Sequence, residues 1–141
     1  RLDKTRAQQT KDRLMLTDSY NELAAAELII ESVPEIKELK SQVLAKAAEF
    51  ANKKAIICTN TSSLSISELA HALPARRRLY GLHFFNPAPK MPLVEIVRGP
   101  VATDKTLGAL SSGGNKPLGG RCSLLGHRIC SEEIRAAHGS L

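Results

Sequence analysis

Three apolar runs punctuate the chain, and the intervals between them predict its elements. Leu28, Ile29, Ile30 and Val33 make a short run of the kind found in parallel strands covered on both faces, with Glu31 and Ser32 read as its break. Ile36, Leu39, Val43, Leu44, Ala47 and Phe50 then recur at helical spacing. Pro34 suits the first helical position, and Glu35 and Glu38 fall in the first turns, where the helix dipole favours anions. A second run, Ala55 to Cys58, opens into the polar cluster Asn60, Thr61, Ser62 and Ser63. Strand, helix, strand in so short a span predicts a βαβ unit with parallel strands.

The third run is Leu79, Tyr80, Leu82 and Phe84, a short buried strand with His83 near its end. A loop containing Pro87, Pro89 and Pro92 comes next, and Leu93 to Val97 reads as the next strand. Alternation puts Leu93, Glu95 and Val97 on one face of it, so a carboxylate stands where an apolar side chain is expected. Between the second and third runs, Ser65 and Glu68 form a capping box ahead of Leu69 and Leu73, and Pro74 closes that short helix.

Elsewhere the pattern is weaker. Residues 1–14 predict a helix of slight amphipathicity, Leu14 to Thr17 an edge strand, and Asp18 or Ser19 the cap of a helical turn through Leu23. Beyond Thr106 no period is sustained. Gly113, Gly114, Gly119 and Gly120 read as linker or turn glycines, not as a dinucleotide fingerprint, since no strand precedes them and no amphipathic helix succeeds them. Ser131 to Ala137 predicts one brief helical turn within a poorly ordered tail.

In an open α/β sheet, ligands collect at the carboxyl ends of the strands, which puts Glu35, Asn60 to Ser63 and His83 on one edge. A hairpin-like return brings Glu95 back beside His83, giving an imidazole and carboxylate suited to general-base work near neutral pH. The competing reading is a hydrogen-bonded structural histidine, the commoner outcome when spacing is the only guide.

Composition narrows the field. At 141 residues and 43% hydrophobic content the chain holds one modest core, and no apolar run approaches membrane-spanning length. A net charge of +6 invites a nucleic-acid reading. Only Arg76, Arg77 and Arg78 form a basic run, however, and with 4% aromatics no stacking motif accompanies it, so neither nucleic acid nor membrane is expected as a partner. Cys58 reads as a buried thiol, and Cys58, Cys122 and Cys130 have no zinc or disulfide spacing. The opening residues have no signal-peptide character, so an intracellular setting is expected and the Asn60-Thr61-Ser62 acceptor triplet is discounted.

Taken together, IIESVPEIKELK, IICTNTSSLSISELA and YGLHFFNPAPKMPLVEIVRG resemble the nicotinamide-binding domain of the 3-hydroxyacyl-CoA dehydrogenases, including the bacterial 3-hydroxybutyryl-CoA type, from about Leu14 to Thr106. The resemblance implies an α/β fold built on a Rossmann-type doubly wound sheet, NAD as cofactor and an acyl-CoA substrate. His83 becomes the catalytic base that takes the proton of the C3 hydroxyl, and Glu95 the carboxylate that orients it. Ser62 contacts cofactor and substrate, Glu35 and Lys40 contact the nicotinamide nucleotide, and Asn86 matches the polar residue of the family's HFFNP motif.

The family's glycine-rich βαβ start, with its coenzyme A-binding serine and lysine, has no counterpart in this sequence, nor does the helical domain through which the family dimerises. GNKPL and His127-Arg128 match the family's next strand and its Asn-Arg pair only faintly. The expected organisation is a polar helix over 1–13, a partial NAD-binding domain over 14–106 and an atypical tail over 107–141. That is a partial sheet with one edge exposed, an inactive fragment whose parent is cytoplasmic in a bacterium, or mitochondrial or peroxisomal in a eukaryote. The alternative in a different class is a non-catalytic structural or partner-binding module derived from the same fold.

Overall fold

A computed structural model describes residues 3–74, 79–85, 87, 93–112 and 122–125. Helix α1 (Lys4–Lys11) is succeeded by a 3-10 helix (Tyr20–Ala25), strand β1 (Leu28–Glu31), helix α2 (Lys37–Phe50) and strand β2 (Ile56–Thr59). Helix α3 (Ile66–Ala70), strands β3 (Leu79–Phe84) and β4 (Val94–Arg98), helix α4 (Asp104–Ser112) and strand β5 (Cys122–Leu125) complete the order.

The strands form one sheet in the order β4-β3-β2-β1-β5. β5, β1, β2 and β3 are mutually parallel neighbours, while β4 returns antiparallel against β3. Because successive side chains alternate across a strand, the two faces of the sheet collect different residues. Ile29, Ile57 and Leu79 face Leu44 and Ala47 of α2 and Ile66 and Leu69 of α3. Leu28, Ile30, Cys58, Tyr80 and Leu82 form the opposite cluster, which Leu110 of α4 covers. Both faces are therefore dry, and the expected doubly wound α/β arrangement is found.

Two glycines let β4 close on β3. A Cβ at Gly99 would lie 2.2 Å from the Leu79 carbonyl oxygen, and one at Gly81 would lie 2.9 Å from Val97 Cβ. From β4 the chain turns into α4, whose start is anchored where Thr103 N–H donates to the hydroxyl of buried Tyr80 at 3.0 Å.

Four expectations need correction. Leu14 to Thr17 form no strand, and Leu14, Met15 and Leu16 are exposed, because the two sheet edges are held by β4 and β5. Helix α2 starts at Lys37 with Ile36 as its N-cap, not at Pro34, because Pro34 to Ile36 make a tight turn that leaves Glu35 outside the helix. Glu31 does not break the first apolar run; it is the last residue of β1 and fully buried.

The fourth correction concerns the tail. Residues 107–112 continue α4, and β5 pairs with β1 in the register Leu28↔Cys122 to Glu31↔Leu125, so the edge expected to be open is covered. A parallel strand buried on both faces leaves backbone donors and acceptors that need such a neighbour. Arg76 to Arg78, Gly113, Gly114, Gly119, Gly120, the GNKPL segment, His127-Arg128, Cys130 and Ser131 to Ala137 lie outside the described residues.

Candidate active site

His83 and Glu95 face each other across the β3–β4 ladder. They are register partners, and His83 Nδ1 lies 3.6 Å from Glu95 Oε2. That separation is just beyond a hydrogen bond, though such contacts often tighten when a ligand binds. His83 is 2% exposed and its ring stacks on Phe85, with centroids 6.0 Å apart and planes inclined by 17°. Burial strengthens whatever the carboxylate does to the imidazole, because little water screens the pair. The neighbours of Glu95 on its face, Leu93 and Val97, are exposed, as expected of an edge strand rather than of the buried face its alternation predicts.

At the end of β2 the loop Thr61 to Ser63 is organised by Glu35. One carboxylate oxygen, Oε1, accepts from the Thr61 hydroxyl, from Ser62 N–H at 3.2 Å and from Ser63 N–H at 3.3 Å, with the Ser63 hydroxyl at 3.2 Å. The other lies 3.5 Å from Lys40 Nζ. Burial pushes this carboxyl up, but the Thr61 hydroxyl, the Lys40 charge and the two backbone N–H groups outweigh it and hold the group below its ordinary range. Glu35 thus fixes the Ser62 backbone. Among the described residues no hydrogen bond engages the Ser62 hydroxyl.

Lys40 is fully buried. Its ammonium lies 3.0 and 3.2 Å from the two oxygens of Glu31, 3.2 Å from the Val33 carbonyl and 2.9 Å from the Asn60 carbonyl. Thr59 Oγ1 and Val33 N–H also donate to Glu31, so the buried carboxylate is saturated. Lys40 thus supports the loop through its contacts with Glu35 and the Asn60 carbonyl. Sequence reasoning placed Asn60 on the ligand edge but missed its contact with Lys40, and missed Glu31 as the lysine's partner, although one signal was available. Lys40, Leu44, Ala47 and Ala48 share the buried stripe of α2, and a lysine on such a stripe needs a buried anion.

The structure brings Glu35, Ser62 and His83 to the carboxyl ends of β1, β2 and β3, with Glu95 beside His83. Asn86 lies outside the described residues. Cys58 is a buried thiol, as expected, and His71, the C-cap of α3, is exposed. Among the described residues there is no cluster of metal-ligating side chains and no helix long and apolar enough to cross a membrane.

Comparison with known proteins adds an independent line. Residues 1–116 match the family model described as 3-hydroxyacyl-CoA dehydrogenase, NAD binding domain. The mitochondrial hydroxyacyl-coenzyme A dehydrogenase of Sus scrofa is 40% identical over 94 residues, which are 67% of this chain and 30% of that protein. The crystal structure of FadB2 from M. tuberculosis aligns with a TM-score of 0.78 and 30% identity over 90% of this chain and 45% of its own. That of the (S)-3-hydroxybutyryl-CoA dehydrogenase PaaH1 from Ralstonia eutropha gives 0.76 and 32% over 90% and 44%. The chain thus spans less than half the length of these relatives.

Proposed function

The chain belongs to the family of the 3-hydroxyacyl-CoA dehydrogenase NAD-binding domain, and from that premise we propose that it carries the proton-transfer half of the oxidation of (S)-3-hydroxyacyl-CoA to 3-oxoacyl-CoA, with His83 as base and Glu95 as its orienting carboxylate. The observation that carries the reading is the facing of His83 Nδ1 and Glu95 Oε2 at the end of β3. With Nδ1 turned to the carboxylate, Nε2 is the nitrogen left to take the proton of the C3 hydroxyl. Glu95 stabilises the imidazolium that results without itself being protonated.

The nicotinamide cofactor, when bound, supplies the acceptor for the hydride leaving C3. The residues at the strand ends fit its nicotinamide half. Ser62 offers a half-buried hydroxyl able to donate and accept, on a loop whose backbone Glu35 holds still. Lys40 supports that loop from beneath. Asn86 is assigned to the same site on its place in the HFFNP motif alone. Nothing in this sequence supplies a strand leading into a glycine-rich turn, the usual backbone cradle for a pyrophosphate, so the chain by itself should bind NADH in the millimolar range and turn over poorly.

Titration of the isotopically labelled chain with NADH and acetoacetyl-CoA, monitored by NMR, tests this. Shifts confined to the Ser62 and Ser63 amides and the His83 ring, whose signals are assigned by their loss in His83→Ala, are the expected result. Saturation that leaves those signals in place while moving His71 would overturn the site, and micromolar affinity with full turnover would overturn the inactivity of the isolated chain.

A further inference from the structure

Asn60 stands one residue past β2, is 4% exposed, and has all four of its polar groups engaged. Its N–H donates to the Glu31 carbonyl at 2.7 Å, and its own carbonyl accepts from Lys40 Nζ at 2.9 Å. Nδ2 donates to Ser32 Oγ at 3.1 Å, and Oδ1 accepts from Phe84 N–H at 3.4 Å. A backbone N–H can only donate, which fixes the orientation of the amide: the oxygen must face Phe84.

The longest of these bonds is the informative one. β2 pairs with β3 only as far as Thr59 opposite Gly81, so Phe84 N–H lies beyond the last residue β2 contributes to the ladder. The Asn60 side chain takes the place of the missing backbone acceptor. Phe84 directly succeeds His83, whose cross-strand partner Glu95 lies on the other side of β3. One side chain therefore holds the end of β3 laterally at the point where the His83–Glu95 separation is set.

We infer that Asn60 is a positioning residue for His83. It joins the Glu31–Lys40 ion pair, which braces the Ser62 loop, to the strand end that carries the imidazole. The inference deepens the assignment of His83 and Glu95 as base and orienting carboxylate and rests on it. A plain structural cap of β2 would need only the Glu31 and Ser32 bonds; the bond to Phe84 is what reaches the other strand. Both roles predict lost stability when Asn60 is truncated, but only positioning predicts that His83 and Glu95 lose contact.

The experiment measures that contact in the whole chain. Glu95→Gln should move the His83 ring resonances, assigned with His83→Gln, and the size of that response reports the pairing. In an Asn60→Ala background the response should fall by half or more, while Asn60→Asp, which retains an acceptor for Phe84, should keep it. Phe84 amide exchange should be slow in the wild-type chain and in Asn60→Asp, and about fivefold or more faster in Asn60→Ala.

An undiminished response in folded Asn60→Ala overturns the proposal, as does an unprotected Phe84 amide in the wild-type chain. Should Asn60→Ala fail to fold, Asn60→Asp decides, since fast Phe84 exchange there is equally fatal. A wild-type chain in which Glu95→Gln leaves His83 unmoved instead sinks the dyad itself. Intact coupling without any response to NADH and acetoacetyl-CoA sinks only the assigned chemistry.

Discussion

Glu35 is the residue at which electrostatics and loop geometry meet. Its carboxyl is held below the ordinary value of 4.5 despite burial, because the folded chain surrounds the charged form with donors and the Lys40 ammonium. A depressed folded value means that the stabilisation is complete above about pH 4.5 and is lost as pH falls through the lower folded value. Urea unfolding should therefore find the wild-type chain about 1–2 kcal/mol more stable than Glu35→Gln near neutrality. That gap should close in acid, and a gap unchanged down to about pH 3 would contradict the assignment. At this scale the sequence was informative where a side chain's direction is set by period two, as for His83 and Glu95. It was uninformative where direction depends on a turn, which is why Glu35 was expected on a helix and instead lies under a serine loop.

Between elements, the decisive contact is the ion pair that fastens α2 to the end of β1. Glu31 and Lys40 are both fully buried, with their side chains 3.0 Å apart at the nearest atoms. Removing one partner strands the other's charge in the core, so Lys40→Ala should cost about 3–5 kcal/mol by chemical denaturation. Replacing both, as Glu31→Gln with Lys40→Met, should recover at least half of the loss, because no fully buried charge is left unpaired and the partly exposed Glu35 keeps its hydrogen-bond donors. Equal destabilisation by the single and double replacements would show that the lysine's bonds to Val33 and Asn60 carry the effect instead. The elements themselves were largely readable, since β1, α2, β2, α3, β3 and β4 each have a periodic or apolar signature and all were expected within a few residues. What escaped was the partnership of Glu31 with Lys40. A glutamate after three aliphatic residues looks like the end of a strand until a lysine on the facing helix is seen to need it.

For the molecule as a whole, the sheet's two edges are unlike. β4 closes one side antiparallel, while β5 closes the other by pairing with β1 from far along the chain. The segment beyond Thr106 lacks a sustained hydrophobic period, and that is why a strand there was not foreseen; a four-residue strand is too short to show one. A chain ending at Ser112 would expose the edge of β1 and should self-associate, seen as growth in light scattering at micromolar concentration, whereas a stable monomer would show that β5 does not protect that edge.

The pairing of β5 with β1 also sets an order of events during synthesis. Glu31 leaves the ribosome long before Cys122, and at translation rates of about 5–20 residues per second the interval is on the order of 5–20 s. Through that window β1 and β2 are available to each other while the outer rim of β1 waits for its last neighbour. The nascent chain is thus open to capture by a chaperone, or by another nascent copy, at a place the finished fold conceals.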